Sequence, residues 1–208
     1  MTLRRHLPRL VLLGLLSMLS ACSILPDYEP LRIYLLPTAT THPASREPTL
    51  QHALRIHTPH ASRILSSPRI AVIPQGNQIS SYAGARWSDA APVLLRDRLI
   101  EAFQRDGRMP SVSNEDVNLY ADLELHSDLR AFQSEYVDGE PQVVIRLDAR
   151  LVNRHNQHTL ANRRFDVRQP SADPRVESVV EAFGKASEAL SRDVLEWTLS
   201  HAQQMPQR

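Results

Sequence analysis

The most regular alternation of apolar and polar positions lies between residues 119 and 168. Ala121, Leu123, Leu125, Leu129 and Ala131 fall on one side of an extended chain, and Asp122, Glu124, His126, Asp128 and Arg130 on the other. The segment "QVVIRLDARLV" repeats the pattern, with Val143, Ile145, Leu147, Ala149 and Leu151 inward and Arg146, Asp148 and Arg150 outward. After the turn "NRHNQH", a third run places Phe165 and Val167 inside and Arg164, Asp166 and Arg168 outside. The three runs predict an antiparallel meander with one dry and one wet face.

Two segments follow helical spacing instead. In the first, Ser88 or Asp89 is the expected cap, Pro92 sits in the first turn, and Gly107 is the expected stop. Leu95, Leu99, Ala102 and Phe103 form its apolar stripe. The second is expected from Asp173-Pro174 to about Ser200, with a seam of Val176, Val179, Val180, Phe183, Leu190, Val194 and Trp197 lying across the dry face of the sheet. Shorter strands are predicted at Leu31 to Leu36 in "LRIYLLP", in "ALRIHT" from Ala53, in "RIAVIP" from Arg69, and in "NQISSYAGARW" up to Trp87. Residues 37–50, rich in proline, threonine and alanine, read as a surface loop. The fold class is α+β, a mostly antiparallel β-sheet with two main helices packed on one face.

The amino terminus has a different character. Arg4, Arg5 and Arg9 precede an apolar stretch from Leu10 to Leu19 that closes on Ser20, Ala21 and Cys22, the order of a secretory signal. Ten residues reach only ~15 Å as a helix, half of the ~30 Å hydrocarbon core, so a permanent span is disfavoured. Leu19-Ser20-Ala21-Cys22 resembles the bacterial lipobox, in which the cysteine thiol receives a diacylglycerol and the chain is cut before it. An ordinary secretory signal with an incidental cysteine is the alternative. The chain is therefore expected to divide into a signal peptide (1–21), an acylated terminus and tether (22–30) and a single domain (31–208). In such lipoproteins an aspartate after the cysteine favours inner-membrane retention. Here that residue is Ser23, so the resemblance implies a palmitate-bearing lipoprotein on the periplasmic face of the outer membrane.

Charge narrows the partners. The whole chain carries a net charge of +1, and losing the three leader arginines leaves 21 basic against 23 acidic residues, which argues against nucleic acid. Cys22 is the only cysteine, so no internal disulfide forms and packing alone stabilises the domain. The row Asp122, Glu124, His126 and Asp128 could hold a metal, but Arg146, Arg150 and Arg164 are expected on the same face, and cross-strand ion pairing accounts for it better. His155 and His158 flank a turn, and two imidazoles do not complete a tetrahedral site. "EAFGKAS" superficially resembles a phosphate loop, yet Val179 stands where the motif needs glycine and Ala186 where it needs a hydroxyl. No nucleophile or zinc-protease motif occurs, so no enzyme, metal or cofactor beyond the covalent lipid on Cys22 is expected. "SYAGARWSDAAPVLL" offers Tyr82, Arg86 and Trp87, either as a partner surface or as packing that shapes one.

Taken in order, the lipobox, "IYLLP", "RIAVIP" and "SYAGARWSDAAPVLLRDRLIEAF" resemble the ABC-type transport auxiliary lipoprotein family, which includes components of the paraquat-inducible protein C type. The resemblance implies a non-enzymatic partner of a permease, an ATPase and a periplasmic MCE-domain protein that move lipid between inner and outer membranes and support membrane integrity. It implies an outer-membrane attachment through Cys22 and leaves self-association into a homo-oligomer open. A structural or assembly lipoprotein of the outer membrane, and a periplasmic lipid carrier, are the alternative readings. His126 or His155 in a cleft would revive an enzymatic one.

Overall fold

The computed structural model describes residues 30–38, 49–117 and 119–205. Leu19, Ser20, Ala21, Cys22, Ser23 and most of the 37–50 loop lie outside the described residues. Leu31–Arg208 forms one unit and Met1–Pro30 another.

A long strand organises the sheet. β1 (Arg32–Tyr34), β2 (Ala53–Ile56), β3 (His60–Ala61), β4 (Arg69–Gln75) and β5 (Gln78–Trp87) lead to α1 (Ala91–Asp106), followed by β6 (Ser111–Asn114), β7 (Leu123–Val137), β8 (Glu140–Asn153), β9 (His158–Pro170) and α2 (Val176–Ala202). On one side β7 pairs antiparallel with β8 along its whole length, and β8 pairs antiparallel with β9. On its other side three short strands dock in turn, all parallel: β2 at Leu123–Leu125, β3 at Asp128–Leu129 and β4 at Gln133–Glu135. β6 extends the sheet beyond β2, and β5 then β1 extend it beyond β4. The long ladders make the sheet mostly antiparallel, as the alternation predicts. The hairpin after β7 turns at Asp138 and Gly139, whose φ of 52° and 87° are the left-handed conformations a tight reversal requires.

The predicted inner rows of β8 and β9 are observed, with Val143, Ile145, Leu147, Ala149, Leu151 and Phe165 buried. β7 departs from its predicted phase. A bulge between Leu129 and Ala131 leaves Arg130 without an opposite residue, so Ala131 pairs with outward-facing Arg146 and Phe132 with inward-facing Ile145. Ala131 thus belongs to the outer face, and Phe132 takes the core position expected for it. The helices also begin later than their polar residues suggest. α1 is capped at Ala90, because the Asp89 side chain accepts from the Ala90 N–H at 2.6 Å. α2 starts at Val176, because the Asp173 carboxylate accepts from the Arg175 N–H at 2.9 Å and holds the chain in a turn. Gly107 ends α1 in a left-handed conformation, as expected.

Both helices cover the inner face. α2 packs on β8, β9 and α1, and its Trp197 meets Phe165 edge to face at 5.7 Å. Near the other end of the sheet, Trp87, Phe132 and Phe183 form an aromatic cluster, with centroids 4.8–6.1 Å apart.

The strand β1 is tied to this core by the segment that follows it. The Arg98 guanidinium of α1, 5% exposed, donates to the carbonyls of Leu36 at 3.1 Å and Pro37 at 2.6 Å. Pro37 then crosses α2 at Gly184, where a side-chain carbon would stand 2.9 Å from Pro37 Cβ. Glycine is unfavourable inside a helix by about 1 kcal/mol, and its place here is explained by that crossing. Tyr34 and Arg32 add bonds to Glu177 at 2.7 and 2.6 Å.

Replacing Gly184 with alanine is expected to lower unfolding stability by about 1–2 kcal/mol, overpacking outweighing the gain in helix propensity. Arg98→Met is expected to cost about 2 kcal/mol by stranding buried carbonyls. Denaturant titration checks both; a Gly184→Ala variant as stable as a propensity gain alone predicts would show that the crossing yields freely.

Candidate functional site

The outer face of the meander is a network of charges that satisfy one another. Arg150 reaches Asp128 at 3.2 Å, Arg146 reaches Asp166 at 2.7 Å, and Arg164 grips Asp148 with two bonds of 2.6 and 2.8 Å while Arg130 adds a third at 3.0 Å. Of the three arginines expected to pair with the row from Asp122 to Asp128, Arg150 does so at Asp128, while Arg146 and Arg164 pair instead with Asp166 and Asp148 on the same face. Register places Asp128 directly opposite Asp148, a like-charge pair that the flanking arginines neutralise. The hydrogen bonds from Arg164, then those from Arg130, hold the Asp148 carboxyl down at about 2. Over these residues runs an open groove of about 500 Å³, in which Asp128, Arg130, Asp148, Arg150 and Arg164 are paired with one another and Arg163 lies over the Phe165 ring.

At the other end of the row the partners differ from those predicted. Glu124 takes Arg55 at 3.4 Å and Arg154 at 3.3 Å, and Asp122 accepts from the Ala53 N–H at 2.9 Å. The Tyr120 hydroxyl donates to Asp122 at 3.1 Å and lies 2.8 Å from His155 Nε2, itself 3.3 Å from Asp122. This trio ties the turn after β8 to the start of β7. His155 and His158 are exposed and sit in no cleft.

Parallel pairing creates one cluster that the sequence did not reveal. Because Arg55 lies opposite Glu124 and Ile56 opposite Leu125, the next residue, His57, comes beside His126, and the two rings stack at 4.1 Å. Ligand atoms of His57, Glu124 and His126 lie within 4.8 Å of one another, the one such group among the described residues. Two features oppose a cation there. The rings are only 15° from parallel, so their in-plane lone pairs do not converge on one point, and two guanidiniums already bind the carboxylate. Burial, reinforced by the neighbouring His126, lowers the His57 pKa and favours the neutral ring.

Tyr82, Arg86 and Trp87 do not form one surface. Trp87 is 1% exposed and belongs to the aromatic cluster. Tyr82 is half-buried against the core, and burial pushes its hydroxyl up to about 12. Arg86 alone is fully at the surface. The "EAFGKAS" stretch lies within α2, where Gly184 serves the crossing of Pro37. Between α1 and α2 a cavity of about 190 Å³ is lined largely by charged residues, below the ~300 Å³ at which small-ligand pockets begin.

A family model described as the ABC-type transport auxiliary lipoprotein component matches residues 34–195, a span that includes Pro37, Arg98 and Gly184. The chain belongs to this family. It is a family of auxiliary lipoprotein components. An uncharacterized protein of Bradyrhizobium diazoefficiens, bll6063, is 30% identical over 152 residues, covering 73% of this chain and 40% of that protein. The chain thus spans two fifths of that relative's length. The crystal structure of protein XCC0632 from Xanthomonas campestris, of family-model DUF330, aligns at a TM-score of 0.77 with 32% identity, covering 83% of this chain and 97% of that one. A further crystal structure, of an uncharacterized protein, aligns at 0.64 with 16% identity over 81% of this chain and 99% of that one, and shows the fold alone. No described helix of this auxiliary lipoprotein is long and apolar enough to cross a membrane.

Because Asp148 titrates lower folded than unfolded, it contributes stability present above its unfolded pKa near 4 and lost as pH falls through about 2. In Asp148→Asn the acid limb of a stability-against-pH curve is expected to flatten between pH 4 and 2. An unchanged limb would show that the arginine contacts do not persist in solution.

Proposed function

We propose that this chain is a non-enzymatic auxiliary component of an MCE-type ABC lipid transport system, held on the periplasmic face of the outer membrane by acyl chains on Cys22. The single observation that carries the reading is the anchoring of β1. Eight residues separate Cys22 from Leu31, and the strand that begins there is tied into the core by Arg98, Gly184 and Glu177. A domain built this way passes a pull on its terminus directly to its interior. With two or three chains at ~0.8 kcal/mol per buried methylene, the attachment lasts the protein's lifetime.

The interior supports a docking role over a carrier role. Core positions are filled by side chains, and the cavity between the helices is small and charged. The polar clusters of the outer face are paired among themselves, which suits a rigid surface that meets a partner and offers no activated nucleophile. The partner in this reading is the MCE-domain protein with its permease and ATPase, and the 31–208 domain is the docking module.

Purification of the full chain from native membranes in mild detergent is expected to recover an MCE-domain protein. Cys22→Ser is expected to release the domain from the membrane fraction. Recovery of the lipoprotein alone would overturn the partner, and tight membrane association of the serine variant would overturn the anchor.

A further inference from the structure

One row of side chains on the face away from the helices is left unused by this account. Along β1 and its flanks the even positions turn toward the helices: Arg32 and Tyr34 reach Glu177, and Leu36 is buried. The odd positions turn the other way. Leu31, Ile33 and Leu35 are 42%, 56% and 74% exposed, an apolar line on a strand that pairs on one side only. Such an edge invites association unless something covers it.

Beside that line stand two arginines. Register sets Ile33 next to Arg86 on β5, and Arg86 directly opposite Arg69 on β4, so the three occupy one row across three strands. Arg69 and Arg86 are both exposed, and among the described residues neither has an ion-pair partner. Like charges placed directly opposite repel, and the other such pair on this sheet, Asp128 and Asp148, is answered by Arg130, Arg150 and Arg164. An apolar line bordered by two uncompensated guanidiniums matches a surface with anionic groups above hydrocarbon.

The chain length decides which surface that is. If Cys22 is acylated, Leu31 follows it by nine residues, at most ~30 Å when fully extended, so this row never leaves the neighbourhood of the bilayer. The tether itself carries Asp27 and Glu29, so attraction to anionic headgroups must come from the folded face. We propose that Leu31, Ile33 and Leu35 enter the headgroup region of the bilayer that holds Cys22, while Arg69 and Arg86 bind its anionic phosphodiesters. This rests on the acylation in the function proposed above. The contact fixes which way the domain faces: the β1 corner of the face opposite the helices lies on the lipid, and the helix layer is turned from it.

The test uses the acylated full chain with Ile33→Cys. Acylation consumes the native thiol, so the new one takes an environment-sensitive fluorophore alone. The protein is reconstituted in phosphatidylethanolamine vesicles with phosphatidylglycerol, and separately in neutral phosphatidylcholine vesicles. In the anionic vesicles the emission is expected to shift to the blue, and an uncharged aqueous quencher is expected to lose several-fold of its effect. A label at Leu160, on β9, is expected to stay aqueous in both. Adding Arg69→Glu and Arg86→Glu is expected to return the Ile33 label to water while the protein stays on the vesicles. A label at Ile33 that remains aqueous on vesicle-bound protein would overturn the contact while leaving the anchor intact. Equal immersion in neutral vesicles would overturn the role of the arginines. Protection of the label in detergent-free solution that grows with protein concentration would assign the row to a second copy of this chain. Loss of vesicle retention with an unmodified Cys22 would instead overturn the function proposed above.

Discussion

Two backbone carbonyls and one guanidinium set the geometry of this protein. Between β1 and the following loop the chain must pass over two helices whose facing surfaces are apolar, and Pro37 brings no N–H of its own. Carbonyls enclosed there need donors. Arg98 supplies them from the middle of α1, with a planar group able to serve Leu36 and Pro37 together. Gly184 supplies the room on α2. The cost is a charged side chain inside the fold, visible in the way burial depresses the Arg98 pKa, offset by the two carbonyl bonds and by Glu101 at 3.5 Å. Because both helices contribute, β1 is fastened to the same layer that closes the core.

The second constraint is the length of β7. A strand of 15 residues bordered by β8 on one side leaves room on its other side for three separate short strands, and these dock parallel because β2, β3 and β4 follow one another along β7 in the same direction, joined only by residues 57–59 and 62–68. The bulge at Arg130, in the ladder with β8, lies near the middle of the same strand. By shifting the phase it brings Phe132 inward, and Phe132 completes the cluster with Trp87 and Phe183 beneath the Pro37 crossing. One extra residue in one strand thus connects the sheet's pairing to the packing that holds the terminus.

The sequence made the regular parts legible. β8 alternates from Ile145 to Leu151, β9 from Arg164 to Arg168, and α2 keeps its seam over seven turns, so period alone locates them. What depended on distant residues was hidden. The neighbours of Glu124 and His126 arrive from β2, 69 residues earlier for the Arg55 pair, and no local pattern announces a parallel partner. Alternation alone places Ala131 inward, because a bulge leaves no mark in a period of two. Trp87 could have been surface or core; its burial is decided by Phe132 and Phe183. Gly184 resembled part of a nucleotide loop until Pro37 was seen against it. Leu31, Ile33 and Leu35 read as strand formers, and their alternation with Arg32, Tyr34 and Leu36 separates two faces.

These parts describe a module whose terminus, edge strand and helices are one mechanical unit, which suits a member of an auxiliary lipoprotein family. The most direct test of that coupling is native-state amide hydrogen exchange, followed by mass spectrometry of the peptide covering residues 32–38. Its hydrogen-bonded amides are predicted to exchange only with global unfolding, at the rate of those in β2. Rapid exchange of this peptide while β2 and α2 stay protected would show a terminus that frays independently, and would contradict the account.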